Sequence, residues 1–138
     1  VINRRFGANF RISCVTTDMP LAHDSPVDLG MIDFCGRCKK CATTCPSGSI
    51  PEGDQTVSNG IRRWVMDPDS CLDFWKKTGY PCAICQTVCP WTKPQTLFHR
   101  AVAATAVNIP FTRSALIKAD DLFYGAGFKP APVPDWLK

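Results

Sequence analysis

The apolar residues of this chain are spaced as in helices near its C-terminal end and as in a strand near its start. In residues 95–107 and 113–124 they recur every three or four positions. This predicts two amphipathic helices, the second ended by Gly125. Residues 10–15 instead alternate apolar and polar side chains, which predicts a strand. Cys14 holds an apolar position in that alternation, and we expect it to be buried as a small hydrophobe.

A third helix is predicted between Asp67 and Gly79. Asp67 can cap its first turn, Pro68 suits the first helical position, and glycine commonly ends a helix. This helix would carry Cys71. Residues 61–66, just before it, read as a short strand.

The most informative stretch is a run of four cysteines with the spacing C-x2-C-x2-C-x3-C-P, formed by Cys35, Cys38, Cys41, Cys45 and Pro46. Bacterial two-cluster ferredoxins hold 4Fe-4S clusters with this run. The first three thiolates can cap three corners of one cube, and the fourth cysteine ligates the other cluster. The run therefore predicts a pair of iron–sulfur clusters.

A second run, Cys82-x2-Cys85-x3-Cys89 followed by Pro and Trp91, has the last three cysteines of the same pattern. It lacks the first cysteine at two residues' distance, and Cys71, eleven residues upstream, is the obvious substitute. The last cysteine of each run serves the other cluster in two-cluster proteins. Cluster one is thus predicted to take Cys35, Cys38, Cys41 and Cys89, and cluster two Cys45, Cys71, Cys82 and Cys85. Eight of the nine cysteines are used, and Cys14 is left over.

The cysteine content is also compatible with disulfides or with zinc. A secreted disulfide framework is disfavoured by the odd count and by the two Cys-Pro endings. Structural zinc does not need the third and fourth cysteines at these offsets. The net charge of +4 is mild and the basic residues are scattered, so we expect no nucleic-acid partner.

We expect an α+β fold with a two-cluster ferredoxin-like core and flanking C-terminal helices. Residues 1–30 would form an N-terminal strand and connector at the end of an upstream domain, residues 31–93 the two-cluster domain, and residues 94–138 the C-terminal helices and tail. A chain that begins with Val1 suggests a piece of a longer protein. The motifs include no paired carboxylates and no Ser/His/Asp arrangement, so the residues by themselves indicate an electron conduit.

Several of these features together resemble the C-terminal part of corrinoid-dependent reductive dehalogenases. They are the segment 15–21, the first cysteine run, Cys71, the run ending in Cys89-Pro90-Trp91, the Phe98-His99-Arg100 stretch, and Tyr124-Gly125. The resemblance covers nearly the whole chain, and the stretched second run is its most specific part.

The resemblance implies that electrons pass through two 4Fe-4S clusters to a cobalamin, which removes halide from an organohalide. The corrinoid-binding domain would lie upstream in the same protein, so this piece alone would not be catalytic. It also implies an electron donor or membrane anchor protein as partner, and a peripheral location at the outer face of the cytoplasmic membrane. Thr16, Thr17 and Asp18 could approach the corrinoid, although a plain turn accounts for them as well.

Two alternative functions stay open from the sequence. One is a non-catalytic ferredoxin-like electron-transfer module. The other is an epoxyqueuosine-reductase-like enzyme, which also joins a corrinoid to two clusters but acts on a tRNA base. The distant Cys71 and the flanking helices favour the dehalogenase over the ferredoxin, and the weak basic character counts mildly against the tRNA enzyme.

Overall fold

Short helices around one small hairpin make up the protein in the computed structural model, which describes residues 2–129. The helices are α1 (Met31–Cys38), α2 (Lys40–Thr43), α3 (Pro68–Thr78), α4 (Ile84–Thr87), α5 (Leu97–Asn108) and α6 (Arg113–Tyr124). The strands β1 (Thr56–Ser58) and β2 (Ile61–Arg63) pair antiparallel, with Val57 opposite Arg62. Two 3₁₀ turns cover Pro90–Thr92 and Pro110–Thr112. Helices with a small two-stranded sheet confirm the α+β class in its coarse sense.

The three long helices form where the apolar spacing and the end signals predict them. The Asp67 side chain accepts hydrogen bonds from the backbone N–H groups of Asp69 at 3.0 Å and Ser70 at 3.4 Å, which caps α3. Gly79 ends α3 with a left-handed φ of 76°. Helices α5 and α6 have 12 residues each. No helix within residues 2–129 is long and apolar enough to cross a membrane.

The N-terminal strand predicted at residues 10–15 is not formed, and this prediction is wrong. The segment is largely exposed, and Cys14 is exposed rather than buried. An alternating pattern makes a strand only when another strand satisfies its backbone groups, and the sheet within residues 2–129 consists of β1 and β2 alone. The strand predicted at residues 61–66 is also shorter, since β2 ends at Arg63.

The buried apolar core joins the cysteine runs to the C-terminal helices. It consists of Phe34 on α1, Trp91 just after the second run, Ala106 on α5 and Ile117 on α6. The rings of Phe34 and Trp91 meet edge to face, with their centroids 5.3 Å apart. Helices α5 and α6 thereby hold the two runs in a fixed relation to each other.

Two buried cations also attach the first cysteine run to the C-terminal helix α6. The Lys40 ammonium on α2 pairs with Asp120 and, at 2.7 Å, with Asp121 Oδ1 on α6. The Arg113 guanidinium at the start of α6 pairs at 2.8 Å with Asp33 on α1. Because charged groups are seldom buried unless they are paired, these two contacts are specific attachments of α6 to the first cysteine run.

Candidate metal centre

The first three cysteines of the first run lie on two short helices, which are separated by one residue in the left-handed conformation. Cys35 and Cys38 lie on α1, and Cys41 lies on α2. Lys39 separates the helices with a φ of 49°, and its backbone N–H donates to the Cys35 carbonyl at 3.2 Å. Non-glycine residues rarely adopt this conformation, so the break at Lys39 is a defined bend within the run.

The second run has the same kind of break. Ala83, between Cys82 and Cys85, has a φ of 141°, a strained value for any residue with a side chain. Cys85 lies on α4, which begins directly after Ala83, and Cys89 immediately precedes the 3₁₀ turn. Helix α4 packs on α2, so the two runs face each other.

The structure brings Cys89 to the first three cysteines of the first run. Burial raises the pKa of the Cys35 thiol to about 12, with further contributions from the nearby Cys89, Cys41 and Cys38. The pKa of Cys41 is raised by burial and then by Cys89, and that of Cys38 by burial, with Cys89 and Cys41 adding to the effect. These four sulfurs therefore lie within electrostatic reach of one another.

The other four cysteines lie beside this group. Burial raises the pKa of Cys71, and the neighbouring Cys45 and Cys82 raise it further. The pKa of Cys85 is raised by burial and by Cys41, Cys45 and Cys82. Helix α3 thus brings Cys71 within electrostatic reach of Cys82 and Cys45. Cys41 is near members of both groups, so the two groups adjoin.

Cys45 differs from the other cysteines because its pKa is lowered. Burial alone would raise that pKa, but hydrogen bonds from the Ser47 hydroxyl and from the backbone N–H groups of Ser47, Ser49 and Ile50 outweigh burial. The Ser47 Oγ lies 3.4 Å from the Cys45 Sγ. The turn after Pro46 is therefore built to stabilise a negatively charged sulfur.

The chemistry of the donor set fits iron–sulfur clusters. All nine cysteines are free thiols. Within residues 2–129, no three Cys, His, Asp or Glu side chains come close enough together to hold a single ion. A four-iron cube is held at its corners and spaces its ligands further apart than one tetrahedral ion does. Grouped thiols with raised pKa values also need a cationic centre before they can all be thiolates.

The remaining residues singled out from the sequence lie in different settings. Phe34 and Trp91 are buried beside the first group, whereas Trp75 on α3 is exposed. His99 is satisfied, since its ring nitrogens contact the Tyr124 hydroxyl at 2.6 Å and the Thr96 hydroxyl at 2.7 Å.

Residues 16–18, considered for a corrinoid contact, are exposed. Lys40, buried between Cys38 and Cys41, carries no signal in the sequence that distinguishes it from the exposed lysines.

Comparison with known proteins agrees with this geometry. Residues 34–93 match the model of the 4Fe-4S dicluster domain. Tetrachloroethene reductive dehalogenase from Sulfurospirillum multivorans is 39% identical over 91% of this chain, which covers 26% of that protein. The chain spans about a quarter of the length of the curated dehalogenases it matches.

Two further matches bear on the fold and on the alternative functions. A solved structure described as a reductive dehalogenase that suggests a mechanism for B12-dependent dehalogenation superposes with a TM-score of 0.74. It is 35% identical and covers 80% of this chain and 16% of its own. Epoxyqueuosine reductase from Cyclobacterium marinum is 30% identical over 67% of this chain, which covers 31% of that protein. The tetrachloroethene dehalogenase has the higher identity and matches more of this chain than the epoxyqueuosine reductase does, so the chain is similar, over most of its length, to an iron–sulfur part of reductive dehalogenases.

Proposed function

We propose that this chain holds two 4Fe-4S clusters and passes single electrons through them to a cobalamin bound by the rest of the protein. Cluster one would be held by Cys35, Cys38, Cys41 and Cys89, and cluster two by Cys45, Cys71, Cys82 and Cys85. The overall reaction would be reductive removal of halide from an organohalide, which needs two electrons and one proton for each carbon–halogen bond replaced by a carbon–hydrogen bond.

The observation that supports the proposal is the proximity of cysteines that belong to different runs. The thiol of Cys89 is within electrostatic reach of Cys35 and Cys41, although Cys89 lies 48 positions after Cys41, and Cys45 is within electrostatic reach of Cys71. A two-cluster ferredoxin arrangement requires this crossing. A local zinc site or a disulfide framework gives no reason for it.

The positions of the two groups support electron transfer between them. Bound 4Fe-4S clusters exchange one electron at a time. Cys41 and Cys45 lie four residues apart and belong to different groups, and Cys41 is also within electrostatic reach of Cys85. The chain's own contribution is to keep the two sites adjacent, to exclude water with Phe34 and Trp91, and to donate N–H groups to sulfur.

The exposed apolar residues of the chain support the proposal that it is one part of a larger protein. Helix α5 exposes Leu97 and Phe98, and helix α6 exposes Leu122 and Phe123. The strand-patterned segment 10–15 is also exposed. We propose that these surfaces pack against the corrinoid-binding part of the same polypeptide, which agrees with relatives about four times as long as this chain. Exposed apolar surface of this kind is typical of an interface.

By family resemblance we also propose that the whole protein lies peripherally at the outer face of the cytoplasmic membrane. A separate electron donor or membrane anchor protein would deliver its electrons there. Fractionation of the native organism tests this, since the protein should be released from membranes by salt or mild detergent on the outer side. Recovery from the cytosol would contradict it.

Anaerobic reconstitution tests the cluster assignment. We expect about eight irons and eight sulfides per chain, the content of two four-iron clusters. The reduced protein should give an EPR spectrum with interaction between two spins. About four irons, a zinc-loaded protein or a disulfide-linked one would refute the assignment.

The full-length natural protein distinguishes the dehalogenase from the two alternatives. The dehalogenase should contain one corrinoid and release halide from an organohalide with a reduced viologen as electron donor. A ferredoxin-like module should contain no corrinoid. An epoxyqueuosine-reductase-like enzyme should contain corrinoid but reduce the modified tRNA base instead of releasing halide.

A further inference from the structure

Two buried donor groups follow directly after Cys89 and make no hydrogen bond of good geometry within residues 2–129. Trp91 is only 8% exposed, and its indole Nε1–H makes no hydrogen bond. The buried Thr92 Oγ likewise has no partner at hydrogen-bonding geometry. Leaving a buried donor unsatisfied costs about 1–3 kcal/mol, so such groups in a native core have a physical cause.

Both donors lie next to sulfurs of the first group. Trp91 belongs to the core cluster against which Cys38 and Cys89 pack. The Thr92 hydroxyl is close enough to Cys89 to lower the pKa of that thiol, against the larger effect of burial. The backbone N–H of Trp91 also stabilises the Cys89 thiolate. A cluster held by this group would therefore bring acceptor sulfurs beside these two side chains.

Trp64 shows the ordinary arrangement of a tryptophan in this chain. Its indole N–H donates to the Gly53 carbonyl at 2.9 Å. That backbone acceptor is provided by the fold, without any bound group. Trp91, which lies beside the cysteines, makes no such hydrogen bond within residues 2–129.

We propose that the Trp91 indole N–H and the Thr92 hydroxyl donate hydrogen bonds to sulfur atoms of cluster one and raise its reduction potential. The proposal rests on the proposed function, because it requires a cluster on Cys35, Cys38, Cys41 and Cys89. A hydrogen bond to sulfur stabilises the more negative, reduced form more than the oxidised form. The chain would in this way make cluster one easier to reduce than it would be without these two donors.

The test is an EPR-monitored redox titration of the cluster-loaded protein and of two variants, Trp91→Phe and Thr92→Val. Each change removes the donor and keeps most of the side-chain volume. We expect the ratio of reduced to oxidised cluster one to fall about five- to tenfold at a fixed potential, where tenfold corresponds to about 59 mV for one electron. The potential of cluster two should not move, and Thr92→Ser should restore that of cluster one.

Two matched controls lose the same chemical groups away from the cysteines. Trp64→Phe removes an indole N–H that binds the Gly53 carbonyl, and Thr105→Val removes a hydroxyl that donates to the Ala101 carbonyl at 3.0 Å. Neither should shift either potential. If Trp91→Phe and Thr92→Val shift cluster one no more than these controls do, the proposal is wrong.

A second measurement does not depend on the variants folding. Wild-type protein labelled with ¹⁵N at the indole nitrogen should show a ¹⁵N hyperfine coupling on the EPR signal of reduced cluster one. Absence of this coupling overturns the Trp91 donor. An iron content of about four per chain refutes the proposed function itself and this inference with it, whereas full iron content with unchanged potentials refutes the inference alone.

Discussion

The Arg113 guanidinium donates a hydrogen bond from Nη1 to Asp33 Oδ2 at 2.8 Å, and thereby ties the start of α6 to the helix that carries Cys35 and Cys38. The same side chain donates from Nε to the Ala106 carbonyl at 2.8 Å, at the C-terminal end of α5. One buried residue therefore fixes three helices around the first cysteine run. The pKa of the Asp33 carboxyl is held below its usual range by its hydrogen bonds to Arg113 and Arg37.

Replacing Arg113 with methionine should lower the free energy of unfolding of the cluster-loaded protein by about 2 kcal/mol, because hydrogen bonds from a charged, buried group are lost. Arg37 also pairs with Asp33, at 2.9 Å, but its side chain is 48% exposed. Arg37→Ala should therefore cost less than about 0.5 kcal/mol. Denaturant titration followed by the cluster absorbance measures both, and equal effects would show that Arg113 is not the specific attachment.

Cys71→Ala should remove or damage cluster two and leave cluster one intact, because Cys71 lies with Cys45 and Cys82. Iron content should fall from about eight to about four per chain, with one EPR signal remaining. Cys14→Ala is the matched control, since Cys14 is exposed, unlike the other eight cysteines. Loss of iron from the Cys14 variant would mean that Cys14 is itself a cluster ligand and that one of the eight assigned cysteines is not.

Cys89→Ala tests the crossing of the two runs directly. It should abolish cluster one, three of whose ligands lie in the other run, while the cluster two signal persists. Loss of cluster two with cluster one intact would mean that each run keeps its own last cysteine. EPR of the reduced variant distinguishes these outcomes.

Removal of iron by an anaerobic chelator should unfold the cysteine runs before the C-terminal helices. Helix α3 contains no buried residue, whereas α5 and α6 share the core residues Ala106 and Ile117. Metal binding and folding are coupled where a segment has little apolar core of its own. Hydrogen exchange should show lost protection in α3 and α4, with α5 and α6 retaining more. Uniform loss of protection would contradict this order.

Ala83→Gly should leave the stability of the loaded protein unchanged or raise it by about 1 kcal/mol, because a φ of 141° is costly for alanine and ordinary for glycine. Ala104→Gly is the control, on the exposed side of α5. There glycine should lower stability by about 1 kcal/mol, the usual cost inside a helix. Thermal denaturation under anaerobic conditions compares the two variants.

Much of the local structure is readable from the sequence because its causes are local. Asp67 and Gly79 set the ends of α3, and apolar spacing sets α5 and α6. The strand predicted at residues 10–15 fails for the opposite reason. A strand depends on a partner, and alternation in one segment does not reveal whether a partner is available.

The sequence by itself determined the spacing of the cysteines in each run, from which the donor set is predicted, because these offsets are a property of the chain alone. Only the tertiary structure decided which residues of other segments lie around those sulfurs. The contact of the buried Lys40 with Asp120 and the contact of Arg113 with Asp33 both depend on how α6 packs against α2 and α1. Such contacts arise from packing between distant segments, and a single sequence does not record which distant segments meet.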